Sequence, residues 1–403
     1  MLAKFAKNGS STAPEVETGP IFCGMSSCSK LGCKMKKTKV LYLVSEDWYF
    51  VSHRLKLAQE VIKQGHEVVL VSNIGKFREQ IERSGIRVIN LRLNRRSLNP
   101  FIFFFELLTL TLIYLREKPD VVHHVALRSV MLGGIAARIC RIRRVISAVT
   151  GMGFLFTEQQ RKPLARRFLE WMIPFATSGN GVLIVQNSDD ASLLLSMGVS
   201  AAQLKIIPGA GVDTGLFTPA PSSRSVPVVM AASRLLWDKG VGDFVEAAKK
   251  LKHRGLRFVL VGMIDKENPS SISEDEVNEW VANGYVEWWG HRNDIADTLK
   301  KADIFCLPSY REGIPKGLIE AMSTGLACIT TDTVGCRETV NDGESGLLVP
   351  VKDPASLADA ILQLVEDPEL RRKLGEQARI RALRVFDDKI IISSTISTYQ
   401  INR

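Results

Sequence analysis

The chain has 403 residues, 45% of them hydrophobic and 24% charged, with a formal net charge of +10. This is ordinary globular composition over a length that exceeds what one hydrophobic core usually serves, so two domains are expected. The positive balance favours anionic partners, among them acidic lipid, phosphorylated substrates and nucleic acid, without choosing between them.

The first twenty residues hold no continuous apolar run, so a cleaved secretory signal is not expected, and residues 1–35 read as a disordered extension. Cys23, Cys28 and Cys33 fall in that extension; their five-residue spacing lacks the paired ends and companion histidines of a zinc site. Cys140, Cys306, Cys328 and Cys336 are scattered beside apolar runs and read as inert thiols of a reducing compartment.

From Lys39 onward, short β-branched runs alternate with longer amphipathic stretches, which predicts a parallel sheet covered by helices. Residues 39–44 form the first strand, and 52–64 follow as a helix with Ser52 as its N-cap and Gly65 past its end. Strands continue at 67–72, 87–91, 120–125, 143–149 and 181–187, nearly continuous in apolar residues as strands buried on both faces should be. Between them, Phe101 to Leu115 is an apolar run of 15 residues containing Glu106, too short to span a bilayer. A buried helix is preferred there over a membrane-dipping one.

The Pro- and Ser-rich stretch 218–227 reads as a linker between a first domain, 36–217, and a second, 228–380. Strands of the second domain are expected at 228–233, 257–262, 285–290, 302–309, 327–332 and 346–351. Residues 381–403 are expected to be helical and to pack back on the first domain. The fold class is therefore α/β, two doubly wound parallel-sheet halves facing a cleft, with ligands beyond the carboxyl ends of the strands.

The segment from Ser309 to Gly325 carries the sharpest chemistry. Seven residues separate Glu312 from Glu320, and Gly313, Ile314, Pro315, Lys316 and Gly317 lie between them, opening a helix near Lys316. Exposed amides and a proline in the first turn suit a helix N-terminus that faces an anion. Arg234 and Lys239 project from one short loop after an earlier strand. Two glutamates at this spacing are common surface residues, and an isolated pair of cations is usually a solvated turn; the strand, turn and helix setting favours a site.

At these residues the sequence resembles the retaining GT-B glycosyltransferases of glycosyltransferase family 4, over essentially residues 39–390. The resemblance implies that Glu312 contacts hydroxyls of the transferred sugar, as a catalytic group, and that Glu320 holds the ribose of the nucleotide. It implies that backbone from Gly313 to Gly317 meets sugar and phosphate, and that Arg234 and Lys239 bind the donor diphosphate. A carboxylate suits a ribose because its two oxygens accept from vicinal hydroxyls. The resemblance further gives residues 207–217 a role in hinge geometry, and Gly335, Arg337 and Glu338 a role in shaping the nucleotide pocket.

In the first half, residues 45–58 occupy a turn where many relatives carry a Gly-Gly loop; this chain has His53 and Arg54 there, expected on the acceptor or phosphate side. Its Trp-Tyr-Phe-x-Ser-His-Arg form resembles the branch that acts on polyprenyl-diphosphate-linked sugars. His123 and His124 end a strand, and alternation lets only one face the cleft; His124 is preferred, as a second catalytic candidate. A basic stretch with interleaved aromatics, carrying Arg161, Lys162, Arg166 and Arg167, suits either an anionic membrane surface or an ordinary packing helix.

The expected activity is metal-independent transfer of a hexose or N-acetylhexosamine from a nucleotide-diphosphate sugar, UDP-linked by preference, to a saccharide acceptor carried on a lipid. No cofactor is expected beyond that co-substrate: the chain contains no D-x-D pair. No nucleic-acid partner is expected, since no stacking motif appears. The expected location is cytoplasmic, at the inner face of the cytoplasmic membrane. A nucleotide-sugar epimerase or a glycan phosphorylase would share the fold, although a phosphorylase needs a cofactor lysine and greater length; a non-catalytic module for anionic surfaces is the remaining alternative.

Overall fold

The computed structural model describes residues 37–94, 99–149, 171–177, 179, 181–220, 224–266 and 268–401. The extension with its three cysteines, and Arg161, Lys162, Arg166 and Arg167, lie outside the described residues.

Among the described residues, thirteen strands form two separate parallel sheets. The first joins β1 (Lys39–Glu46), β2 (Glu67–Asn73), β3 (Arg87–Asn90), β4 (Val121–Val125), β5 (Arg144–Ala148), β6 (Val182–Val185) and β7 (Leu204–Ile206) in the order β3-β2-β1-β4-β5-β6-β7. The second joins β8 (Val228–Ala232), β9 (Arg257–Val261), β10 (Glu287–Trp288), β11 (Ile304–Leu307), β12 (Ala327–Thr331) and β13 (Leu347–Val349) in the order β10-β9-β8-β11-β12-β13. Both orders turn at the first strand, so each sheet has a topological switch point at the carboxyl end of its central strands. Helices cover both faces of each sheet, and β1 and β11 are buried because neither face meets water.

The short β7 was not among the expected strands; its three residues, two half-buried and one exposed, leave no apolar run to read. The first helix also differs. Asp47 to His53 form one helix and Leu55 to Lys63 another, with Arg54 between them at φ −132° and ψ −13°. Ser52 therefore lies inside the earlier helix and caps nothing.

The largest departure is the helix Pro100–Glu117, which was expected to be buried. Glu106, Leu110, Thr111, Tyr114 and Glu117 face the protein, whereas Phe101, Phe104, Phe105, Leu108, Leu112 and Leu115 face outward. The inward polar groups are satisfied: Glu106 accepts from the Asn94 amide at 2.7 Å and pairs with Arg128 at 2.6 Å. Apolar content marks this as a helix but does not reveal which face turns inward.

The chain closes with the helix Asp388–Tyr399, which lies on the first sheet. Tyr399 is fully buried there; its hydroxyl is 3.0 Å from that of Tyr42 and 2.6 Å from His123 Nδ1. Arg144 Nε donates to the Thr398 carbonyl at 2.8 Å, and Lys56 pairs with both Asp213 and Asp388 at 2.6 Å. Gly211, at φ +78°, lets the backbone pass close to Asp388, where a Cβ would come within 2.7 Å of its Cα.

Replacing Tyr399 by Phe strands two buried polar groups, so a loss of about 1–3 kcal/mol is expected in chemical denaturation. Tyr399→Ala, which adds a cavity, is expected to cost about 3–5 kcal/mol. A Phe variant as stable as wild type would mean that the hydroxyl contributes nothing.

Candidate functional site

The carboxyl ends of the two sheets face one another, and polar side chains gather in the loops between them. The segment after β11 is pressed against the turn Trp237–Lys239 that follows β8: the Tyr310 amide donates to the Asp238 carbonyl at 2.9 Å, and Ser309 Oγ to the same oxygen at 3.1 Å. Gly240, at φ +68°, makes this approach possible, because a Cβ would overlap the Pro308 carbonyl. The result is a direct ion pair between Lys239 Nζ and Glu312 Oε1 at 2.5 Å, with both side chains largely buried.

On its other side the Glu312 loop rests on Gly335. That residue has φ +21°, and a Cβ there would overlap the Gly313 carbonyl. Arg337 pairs with Asp332 at 2.8 Å. Glu338 reaches across to the first lobe, where it accepts from the Ser188 amide at 3.0 Å and from the Ser188 hydroxyl.

The helix Lys316–Ser323 follows, with Pro315 at its N-cap position. Glu320 lies within it and is 9% exposed; burial raises its carboxyl above the ordinary glutamate range, and Lys316, 3.6 Å away, opposes that rise. Gly317 lies against the Ala232 carbonyl at the end of β8, where a Cβ would meet it at 3.1 Å. Lys316 Nζ also crosses the cleft and donates to the Ser52 carbonyl at 3.0 Å. The Ile314 amide crosses as well, donating to Gln186 Oε1 at 3.0 Å.

Of the expected residues, Lys239, Glu312, Lys316 and Glu320 are therefore brought together with the backbone from Gly313 to Gly317. Arg234 stands on the same side, exposed and paired with Asp265 at 2.8 Å. Gln186, Ser188 and Asp265 were not foreseen. Gln186 and Ser188 directly follow β6, and a polar residue just past a buried strand is the signal that could have found them.

The histidines fall differently. His53 ends its helix instead of opening one; its ring stacks on Tyr49 with centroids 4.1 Å apart, and its Nδ1 is 3.3 Å from the Tyr49 carbonyl. Burial, then the nearby Lys316 and Arg54 charges, holds its pKa down to about 3.

His124 does not face the cleft. Both His123 and His124 are fully buried, and each meets a tyrosine, His124 Nε2 lying 3.0 Å from Tyr114 Oη. The two alternate as expected, but helices cover both faces of β4 and neither side of the strand opens to solvent. Burial lowers the pKa of His124 to about 3 and that of His123 well below its usual value.

Two Rossmann-like parallel-sheet lobes arranged in this way have the GT-B fold of glycosyltransferases. Residues 219–381 match the family described as Glycosyl transferases group 1, and residues 39–187 match Glycosyl transferase 4-like. The chain belongs to this family of glycosyltransferases.

Among its relatives is the N,N'-diacetylbacillosaminyl-diphospho-undecaprenol alpha-1,3-N-acetylgalactosaminyltransferase of Campylobacter jejuni, 29% identical over 86% of this chain and 94% of that protein. Another is the UDP-Gal:alpha-D-GlcNAc-diphosphoundecaprenol alpha-1,3-galactosyltransferase of Escherichia coli, 29% identical over 66% of this chain and 71% of that one. Anabaena HepE, solved in complex with UDP, shares the fold with a TM-score of 0.75 and 18% identity over 90% of this chain and 99% of its own.

Gly335→Ala should push the Glu312 loop off its seat at a cost of about 1–3 kcal/mol. Hydrogen exchange across residues 312–315 is expected to quicken while both sheets keep their protection. Unchanged exchange in that loop would show that the contact does not position it.

Proposed function

We propose that the chain is a retaining, metal-independent transferase that moves a hexose or N-acetylhexosamine from a UDP-linked donor to a saccharide on a polyprenyl diphosphate, in cell-surface polysaccharide or glycan assembly. The observation that carries this reading is the Lys239–Glu312 ion pair at the cleft mouth, with Lys316 and Glu320 on the adjoining helix. The activities of the two bacterial relatives and the UDP complex of the neighbouring fold support the choice of donor and acceptor.

In this reading the donor diphosphate replaces Glu312 as the partner of Lys239 and Asp265 as that of Arg234. Glu312, released, accepts from hydroxyls of the sugar, and Glu320 accepts from the ribose. As the glycosidic oxygen bond breaks, negative charge grows on the departing diphosphate. Arg234, Lys239 and the amides opening the helix at Lys316 are preorganised to stabilise it, the task a divalent ion would otherwise perform. The acceptor hydroxyl attacks from the face the leaving group vacates, and its proton passes to the departing oxygen.

A membrane-bound acceptor calls for a surface to meet it. The outward face of the helix Pro100–Glu117 offers one: Phe101 is 74% exposed, Phe105 64% and Phe104 60%, with Leu108, Leu112 and Leu115 continuing the stripe. Exposed Arg116 and Lys118 lie at its far end, suited to anionic headgroups. No helix among the described residues is long and apolar enough to cross a bilayer.

Glu312→Ala and Arg234→Ala are each expected to lower turnover of UDP-sugar with lipid-linked acceptor by about 100-fold or more. Undiminished turnover in both would overturn the site, and turnover of UDP-sugar without any acceptor would favour an epimerase. Phe104→Ser with Phe105→Ser should abolish sedimentation with vesicles containing anionic lipid; pelleting equal to wild type would remove the membrane surface.

A further inference from the structure

The second lobe carries a cavity of about 540 Å³ lined by Arg224, Arg257, Trp289, Arg292 and Lys301, none of which belongs to the cleft cluster. Arg257 opens β9, and Asp303, the partner of Arg224, immediately precedes β11. These anchors sit at the amino edge of the second sheet, opposite the strand ends that lead to Lys239 and Glu312.

Four cations meet here around one aromatic side chain, and their pairing is incomplete. Arg224 holds Asp303 at 3.0 Å. Arg257 grips Glu287 through Nε at 2.7 Å and Nη2 at 2.9 Å, and Arg292 grips Asp294 through the same two nitrogens at 3.0 and 2.9 Å. Each of these two forks leaves its Nη1 without a protein partner among the described residues. Lys301 forms no ion pair among the described residues and instead faces the Trp289 ring, 5.8 Å from its centroid. Three carboxylates therefore serve four cations.

The pairs are also readily shared. The side chains of Arg257 and Glu287 are 47% and 43% exposed, and ion pairs so open to water contribute little, so an incoming oxyanion gives up little by joining them. Their effect is to hold two guanidinium planes in place beforehand. Such planes match phosphate oxygens in geometry as well as in charge. Trp289 is fixed beside them, because its Nε1 donates to Glu287 Oε2 at 3.0 Å.

We propose that this cavity binds a small organic phosphate, its phosphate on Arg257, Arg292 and Lys301 and its body against Trp289, at a site separate from the cleft. The volume falls within the range of small-molecule sites, roughly 300–1,000 Å³, which a bare phosphate ion would leave mostly unfilled. The indole supplies the apolar wall that an organic body needs. Nothing in this assignment rests on the transferase reading.

The test is calorimetric titration of the full chain with glucose 1-phosphate and with inorganic phosphate. Wild type should bind glucose 1-phosphate at millimolar concentration or below. Arg292→Ala combined with Lys301→Ala should weaken that binding about 10- to 100-fold, the loss expected for charge-assisted hydrogen bonds, while melting with wild type. Lys239→Ala, altered in the cleft, should bind as wild type does. No binding by wild type, or unchanged binding by the double variant, would overturn the site; loss in Lys239→Ala alone would place the ligand in the cleft and overturn it as well.

Inorganic phosphate should bind wild type more weakly than glucose 1-phosphate, and Trp289→Leu should bring the two together. Equal affinities in wild type would refute an organic ligand, a comparison that stands even if the Leu variant melts early. A phosphate could also belong to a lipid headgroup, so vesicles containing phosphatidic acid form the last arm. The double variant should pellet with them as wild type does. Lost pelleting with glucose 1-phosphate binding intact would assign the cations to a membrane and overturn the proposal.

Discussion

Parallel pairing is the constraint on which the rest depends. Every strand of a parallel sheet ends on the same edge, so every loop leaving a strand end is delivered to one side of its lobe. With both sheets turned edge to edge, the loops after β1, β6, β8, β11 and β12 meet in one place although Ser52 and Lys316 are 264 residues apart in the chain. Apolar residues that hold the strands together are thus indirectly responsible for gathering the charges.

Gathering charges is costly unless they compensate one another, and here they do so in pairs that straddle the seams. Lys239 neutralises Glu312 between two loops of the second lobe, Arg234 meets Asp265, and Lys316 lies between Glu320 and the first lobe. Gly240 and Gly335 permit the close approach from either side, each where a side chain would strike a backbone carbonyl. The geometry is consequently held by backbone, which preorganises the charged groups without requiring a ligand.

How much of this could be read from residues alone varies with the physics that sets each feature. Strands were legible because burial on both faces writes itself as continuous apolar runs; twelve of the thirteen were anticipated, and β7, half-exposed and three residues long, was not. The acidic pair was legible because Glu312 and Glu320 are local to one loop and helix. Gln186 and Ser188 were harder, since what gives them meaning is a contact with a residue more than a hundred positions away.

The misreadings share one cause: tertiary contacts decide the direction of a side chain after local pattern has fixed its period. His123 and His124 alternate as β4 requires, yet Tyr399 arrives from the far end of the chain to cover one and Tyr114 covers the other. The apolar content of the helix Pro100–Glu117 points to a core element, but Glu106 and Glu117 pair with Arg128, Arg87 and Lys39 and turn the phenylalanines out. Satisfying two buried carboxylates outweighed burying more carbon, because an unpaired buried charge costs more than one exposed aromatic ring.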